Sequence, residues 1–507
     1  MRLAPHSADP TSVSPTGGVT PRWLPGVAFP VALLIVLAAA AKVPTQFGVL
    51  LLLGAIGSVL VISGLRDPVV AVLLLLVTTF LRVALPSILP VDPFVLAFLG
   101  VVGAWAIWIA RGTDRAPRLG VIECAMVLYV TWNIMSMFSS HPFGSVVPVS
   151  GEALSVPRFV LTGTIIPFTM FLVGRYTFDR VSAVRLLLWT IVSLGAYSAV
   201  MSILQFHGPT ALVWPHYIVE SPSWEGRAVG IFDQPVVNGV VLILGFIVAL
   251  LLASTRSEPR WSRILAMGIA AASAYGVYLT HTRVVWLAFA VVVLIGAVLA
   301  KGFRTGFVVT GGVAAAAVAI KWSTFISSDR SAGGVGSPDE LQDRLNTAQT
   351  AFWAIQEKPL AGWGIGRFTA MNTYHHQQWA PDVPWIRGFG IASHFNELGI
   401  AAELGLIGLV LWLAVLFLMA SGLFHAFQVL PADGLCGRRL ALVAMMAFVV
   451  LVISGLTVDL RFFDFPNAVV MLLVGIAIGW AERAPADQLT PDPHRRGSAS
   501  FPAQVHR

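Results

Sequence analysis

Apolar runs long enough to cross a lipid bilayer recur along this chain from Pro25 to Trp480, and no other feature restricts the fold as strongly. A hydrocarbon core about 30 Å thick needs roughly 20 residues of helix, whose backbone groups bond one another rather than water. Of 507 residues, 57% are hydrophobic and 11% charged, with a mean hydropathy of +0.81; a soluble domain is charged at roughly a quarter of its positions. The class is therefore all-α, integral to a membrane and polytopic. No length remains for a second, soluble domain of any size.

Runs bounded by Pro, Gly or charge give candidate helices near 26–41, 48–64, 68–86, 94–110, 119–137, 159–174, 186–205, 236–254, 262–280, 284–300, 306–320, 396–424, 440–458 and 463–480. The expectation is a bundle of about 12–14 transmembrane helices. The first run follows a polar tail and lacks a small-residue cleavage site, so it reads as a retained helix. Cys124 sits in an apolar run and Cys436 beside Arg438 and Arg439, which argues against a structural disulfide.

Charge sets the orientation. With a cytoplasmic N-terminus, Arg111, Arg175, Arg180, Arg185, Arg256, Arg260, Arg263, Lys301, Arg304, Arg438 and Arg439 fall inside together, as the positive-inside rule requires. Residues 1–22 and 481–507 then read as disordered cytoplasmic tails, 23–320 as an N-terminal transmembrane bundle and 396–480 as C-terminal transmembrane helices. Four stretches fall outside: 138–158, 206–235, the tight turn 281–283 and the extracytoplasmic segment 321–395. The last is too long for a plain connection. Within it Ser337 suits an N-cap, Pro338 the first helical position and Glu340 a capping box, with Pro359 as the stop. Leu341, Leu345, Ala348, Phe352 and Ile355 form one apolar stripe, predicting an amphipathic helix over 337–358 that lies on the outer membrane face as a lid.

Arginines outside are the ones that need a reason: Arg158, Arg227, Arg283, Arg330, Arg344, Arg367, Arg387 and Arg461. Arg283 stands at a helix boundary in "YLTHTRVVWLAF", where a guanidinium either snorkels to headgroups or meets an anion. Arg227, in "SWEGRAVGIFDQPVVNG", precedes a helix on the same side, with Glu225 and Asp233 as nearby counter-ions. Two guanidinium forks at neighbouring helix mouths make a cradle for phosphate or pyrophosphate.

In "ASHFNELGIAAELGLIGLVLWL", a helix starting near His394 brings Glu397 three residues on, where its carboxylate can accept from one imidazole nitrogen and leave the other basic. Asn396 and Glu403 share another face. With Gly399, Gly405 and Gly408 thinning the helix, Glu403 is expected to bond a neighbouring backbone or side chain. The blander reading of His394 is an interfacial helix cap. His375 and His376 lack a third ligand at useful spacing, so no metal site is expected.

The pieces "RAVGIFDQP", "LTHTR", "LAGWGIGRF" and "SHFNELGIAAELGLIGL", in this order over about residues 225 to 425, resemble the O-antigen ligase and O-antigen polymerase superfamily of bacterial envelope enzymes. The resemblance implies a C-type membrane glycosyltransferase of the bacterial cytoplasmic (inner) membrane, acting on its extracytoplasmic side. Such an enzyme takes a glycan from a polyprenyl (undecaprenyl-type) pyrophosphate carrier to a lipid, glycan or protein acceptor, without metal or cofactor and with inversion. It places pyrophosphate binding on Arg227 and Arg283 and the general base on His394, with Glu397 orienting it. Arg367, Arg387, Asn396 and Glu403 are secondary candidates. Two departures touch the loops: Thr282 stands where serine is common, and Val236 follows Pro235 where asparagine is frequent. Trp353, Trp363, Trp379 and Trp385 fit sugar stacking and an interfacial belt equally. No nucleic-acid partner is expected. A repeat-unit polymerase is the alternative within the superfamily; a lipid-linked-sugar flippase or transporter is the alternative outside it.

Overall fold

The computed structural model describes residues 67–84, 92–112, 119–139, 143–148, 150–221, 224–329, 333–335, 339–386 and 390–484. The expected helices near 26–41 and 48–64, the tail 1–22, the part 485–507 of the other tail, Arg330, Ser337, Pro338 and Arg387 lie outside them, while 481–482 belong to a helix.

Every candidate from 68–86 onward has a helical counterpart. In chain order these are α1 (Pro68–Leu81), α2 (Pro93–Ala110), α3 (Val121–Met137), α4 (Val156–Thr177), α5 (Val181–His207), α6 (Pro235–Ser254), α7 (Arg260–Leu279), α8 (Arg283–Leu299) and α9 (Arg304–Ile320). The segment after α9 carries α10 (Asp339–Glu357) and α11 (Phe368–Tyr374), and α12 (Asn396–Val429), α13 (Arg438–Gly455) and α14 (Asp464–Glu482) follow. Eight of these are long and apolar enough to cross a membrane, and α1, α3, α8 and α9 are shorter apolar helices. Among the described residues the extended pairing is a single bridge, Val146 to Ala153. The protein is an all-α, multi-pass membrane protein.

Local chemistry explains the helix starts. Asp67 and Asp92 cap α1 and α2 by accepting from the Val69 and Phe94 N–H groups, Gln234 does the same for Val236 of α6, and a proline follows each cap. Helix α6, apolar on all sides, is wholly enclosed by its neighbours, as such a helix must be. Helices α4 and α14 approach most closely where Gly475 and Gly479 meet the Phe171 and Arg175 carbonyls; a Cβ at either position would overlap those oxygens.

Ion pairs mark the two ends of the bundle. At one end Arg175 bonds Glu123 and Glu482, Arg180 pairs with Asp67, and Arg185 with Glu258. At the other, Arg82 joins Asp92 and Asp464, and Arg158 also reaches Asp92. This second end, called the loop end below, carries 206–234 and 321–395.

The loop end depends on a break in α12. Gly405 has φ 69° and ψ −176°, so 396–404 forms a half-helix distinct from the spanning part. The backbone of 359–364 enters the gap. Trp363 and Gly364 N–H donate to the Ala402 and Glu403 carbonyls (3.0 and 2.7 Å), and Leu406 N–H donates to Pro359 O (2.8 Å). The Trp132 indole of α3 donates to Leu404 O at 2.9 Å. The groups freed by the break are thus bonded, which an apolar surrounding demands. Only glycine suits position 405, since a side chain would be strained at that φ and would overlap the Leu360 carbonyl. Gly405→Ala is expected to cost at least about 1–3 kcal/mol from backbone strain alone, seen as a lowered melting temperature of the detergent-solubilised protein; an unchanged melting curve would contradict the break.

The predicted amphipathic helix has its counterpart in α10. Its buried side is polar and small, comprising Glu340, Asp343, Asn346, Thr347, Thr350, Ala351 and Ala354. Of the expected stripe, Ala348 is buried, but Leu341 and Phe352 are 54% and 43% exposed. The loop 377–386 takes backbone partners from this buried face: Asn346 Oδ1 accepts from Trp379 N–H (2.8 Å), Thr350 Oγ1 from Gln377 N–H (2.9 Å) and Asp343 Oδ1 from Ile386 N–H (3.2 Å). The polar face is buried because it supplies those partners.

Candidate active site at the loop end

Arg227 is fixed through its backbone. Its carbonyl accepts from the Gln205 amide (2.9 Å), and Ala228 N–H donates to Leu279 O (2.9 Å). The buried Asn238 of α6 donates to Ala228 O at 3.0 Å, and His281 Nδ1 lies 2.7 Å from Gly226 O. His281 occupies the turn between α7 and α8 with φ 41°. This histidine therefore ties the Arg227 loop to the turn that ends in Arg283. The Arg227 guanidinium lies over the Trp224 ring at 5.3 Å and bonds Glu340 of α10.

Arg283 is the first residue of α8 and is partly buried. The loop of Arg227 and the turn of Arg283 are thus bonded to each other at neighbouring helix mouths. Asp233 adopts a left-handed conformation just before α6, and the carboxylate found on Arg227 is Glu340, one turn before Arg344.

His394 is partly buried and precedes the helix rather than starting it. Ser393 Oγ accepts from Phe395 N–H (3.2 Å), Phe395 is extended as the N-cap, and α12 begins at Asn396. His394 therefore lies outside the helix that carries Glu397. Glu397 accepts from the Asn396 amide at 3.2 Å. Asn396 and Glu403 are both buried.

Glu403 bonds a backbone group and a side chain, as expected of it. Oε1 accepts from Phe368 N–H (2.8 Å) and Oε2 from Arg461 Nη1 (2.7 Å). Arg461, in the turn before α14, also donates from Nε and Nη2 to Asp459 at 2.9 and 2.6 Å. Burial disfavours its charge, but the two carboxylates outweigh this and hold its pKa above the ordinary arginine value. Arg367 caps α11 and donates to Phe143 O; burial lowers its pKa, which the Glu403 charge partly opposes. The sequence places Arg461 among the outward arginines without a role and Glu340 in a capping box, and does not single out Asp459, Asn238 or Gln205. Its signals were slight: Asp459 two residues before Arg461, and Asn238 within "DQPVVNG".

Two clusters therefore stand at one end of the bundle: an arginine pair faced by Glu340, and a buried Arg461–Asp459–Glu403 group under the half-helix that follows His394. Fold and site together define a polytopic membrane protein with two polar clusters at its loop end. Residues 268–413 match the family model described as O-Antigen ligase, which supports the resemblance to the O-antigen ligase superfamily. The matched span holds Arg283, Arg367, His394, Glu397 and Glu403, while Arg227, Asp459 and Arg461 lie beyond it. No curated protein matches the chain.

Removing one member of a buried ion group leaves its partners uncompensated. Arg461→Met should destabilise the protein by about 3–5 kcal/mol, measured as a shift in thermal unfolding in micelles. A loss below about 1 kcal/mol, the range of exposed pairs, would contradict the burial described.

Proposed function

We propose that the chain is a membrane glycosyltransferase that moves a glycan from a polyprenyl (undecaprenyl-type) pyrophosphate to an acceptor hydroxyl on the extracytoplasmic face of the bacterial inner membrane. The observation that carries this reading is the bonding of the Arg227 loop to the turn that ends in Arg283, through His281 to Gly226 O and Ala228 N–H to Leu279 O. Keeping two like charges together is unfavourable, and an anion between them relieves it. Glu340 supplies one carboxylate to Arg227, and the donor's pyrophosphate would take that role.

In the reaction the acceptor oxygen attacks the anomeric carbon, the bond from that carbon to the pyrophosphate oxygen breaks, and configuration inverts. The guanidinium pair stabilises the charge that grows on the leaving pyrophosphate. His394 accepts the proton from the attacking hydroxyl, and Glu397, held by Asn396, favours the imidazolium that results. Arg367 and the unplaced Arg387 are secondary contacts for sugar or phosphate. The description of the matched family favours ligase-type transfer of a glycan to a lipid, glycan or protein over repeat-unit polymerisation.

Transport has one observation in its favour, since broken helices line many substrate paths. Here the backbone groups at the break are taken by 359–364 and Trp132, so they offer little to a passing solute.

Purified protein with a lipid-linked oligosaccharide and an acceptor tests the reading. His394→Ala should lower transfer about 10²–10⁴-fold, and a rate equal to wild type would remove the histidine from the chemistry. Arg283→Lys keeps the charge but loses the fork. Donor turnover should fall and its apparent KM rise, and unaltered donor kinetics would argue against bidentate binding.

A further inference from the structure

We propose that Arg461 is a positioning residue for this site, a clamp that fixes the half-helix 396–404 and with it the approach of His394; the inference rests on the glycosyl-transfer reading. Because Gly405 interrupts α12, the spanning helix does not by itself set the direction of 396–404. Something else must. Arg461 touches each part that could do so. Nη1 bonds Glu403 in the last turn of the half-helix, and Nη2 packs so close to Gly399, in its first turn, that a Cβ there would lie 3.2 Å away. Through the other Glu403 oxygen it reaches Phe368 N–H, where the inserted 359–367 strand of chain turns into α11.

Arg461 is itself held. Asp459 grips its guanidinium by two bonds and its backbone N–H by a third at 3.1 Å. Its carbonyl and Cβ lie against Gly163, within the π-helical turn Leu161–Ile165 that interrupts α4. Such turns insert one residue and re-aim a helix locally, often beside functional sites. One side chain thus joins the interrupted part of α4, the start of α14, the half-helix and the segment leading to Arg367. Buried ion groups contribute little net stability compared with apolar packing but do fix register, so geometry is the use that this arrangement supports.

The test uses the full chain in lipid nanodiscs, with a neutral triple variant (Arg461→Met, Asp459→Asn, Glu403→Gln) and the charge-preserving Glu403→Asp, which shortens one arm. In both, amide hydrogen exchange over 396–404 should accelerate about tenfold or more while 406–429 stays protected. kcat should fall about tenfold to a hundredfold, as for a misplaced reacting group, with donor KM within about threefold. A merely structural role would raise exchange in all helices and leave kcat per folded molecule unchanged, and that result would overturn the clamp. If the triple variant does not fold, Glu403→Asp decides by the same criteria. Wild-type protein that transfers no glycan would sink the functional reading instead, while the exchange measurement would still judge the clamp.

Discussion

Backbone hydrogen bonding in an apolar surrounding governs this structure, and its sharpest expression is at Gly405. A helix interrupted inside a bundle frees carbonyls on one side of the break and N–H groups on the other, each costly if left bare. The protein meets that cost with main chain: 359–364 is threaded into the gap and Trp132 reaches across from α3. Once this exchange is made, the segment before α11 has one place to lie, Glu403 meets Phe368 N–H, and the short helix after His394 becomes a separate body. The local geometry of the candidate site follows from where those few bonds go.

Electrostatics then organises what the backbone has placed. The bundle keeps its charged side chains at its two ends, and they differ in kind. At the end away from the loops, Arg175 bonds both Glu123 and Glu482 around helix termini. At the loop end the Arg227 loop is bonded to the turn of Arg283, with α10 offering Glu340 to Arg227, whereas Arg461 is enclosed by two carboxylates. Both sets of guanidinium groups are anchored through neighbours rather than by their own flexible stems, which preorganises them.

Much of this was legible from the residues. Hydrophobic runs located the helices, because in lipid a helix is the inexpensive conformation for any long apolar stretch, whatever it packs against. The arginines of "GRAVG" and "THTR" stand out because a guanidinium at a helix mouth is costly, and the loop and the turn that carry them are bonded to each other. Glu403 was expected to bond a neighbour, and it does. What the residues left out has a common cause. The polar face of α10 is buried because a distant loop takes the oxygens of Asn346, Thr350 and Asp343. Likewise a serine turn at 393–395 leaves His394 outside α12.

The sequence by itself determined the class of the molecule, the number and order of its described spanning helices, and which polar residues stand at their mouths, since these depend on composition and on neighbours close along the chain. Only the tertiary structure decided that α12 is two helices, that Glu340 faces Arg227, and that Arg461 lies between Asp459 and Glu403 beneath the residues that follow His394. Each of these joins segments 58 to 113 residues apart or depends on such a join. Their partners are chosen by packing and by the demand that buried polar groups be bonded, and neither is written in the periodicity of one segment.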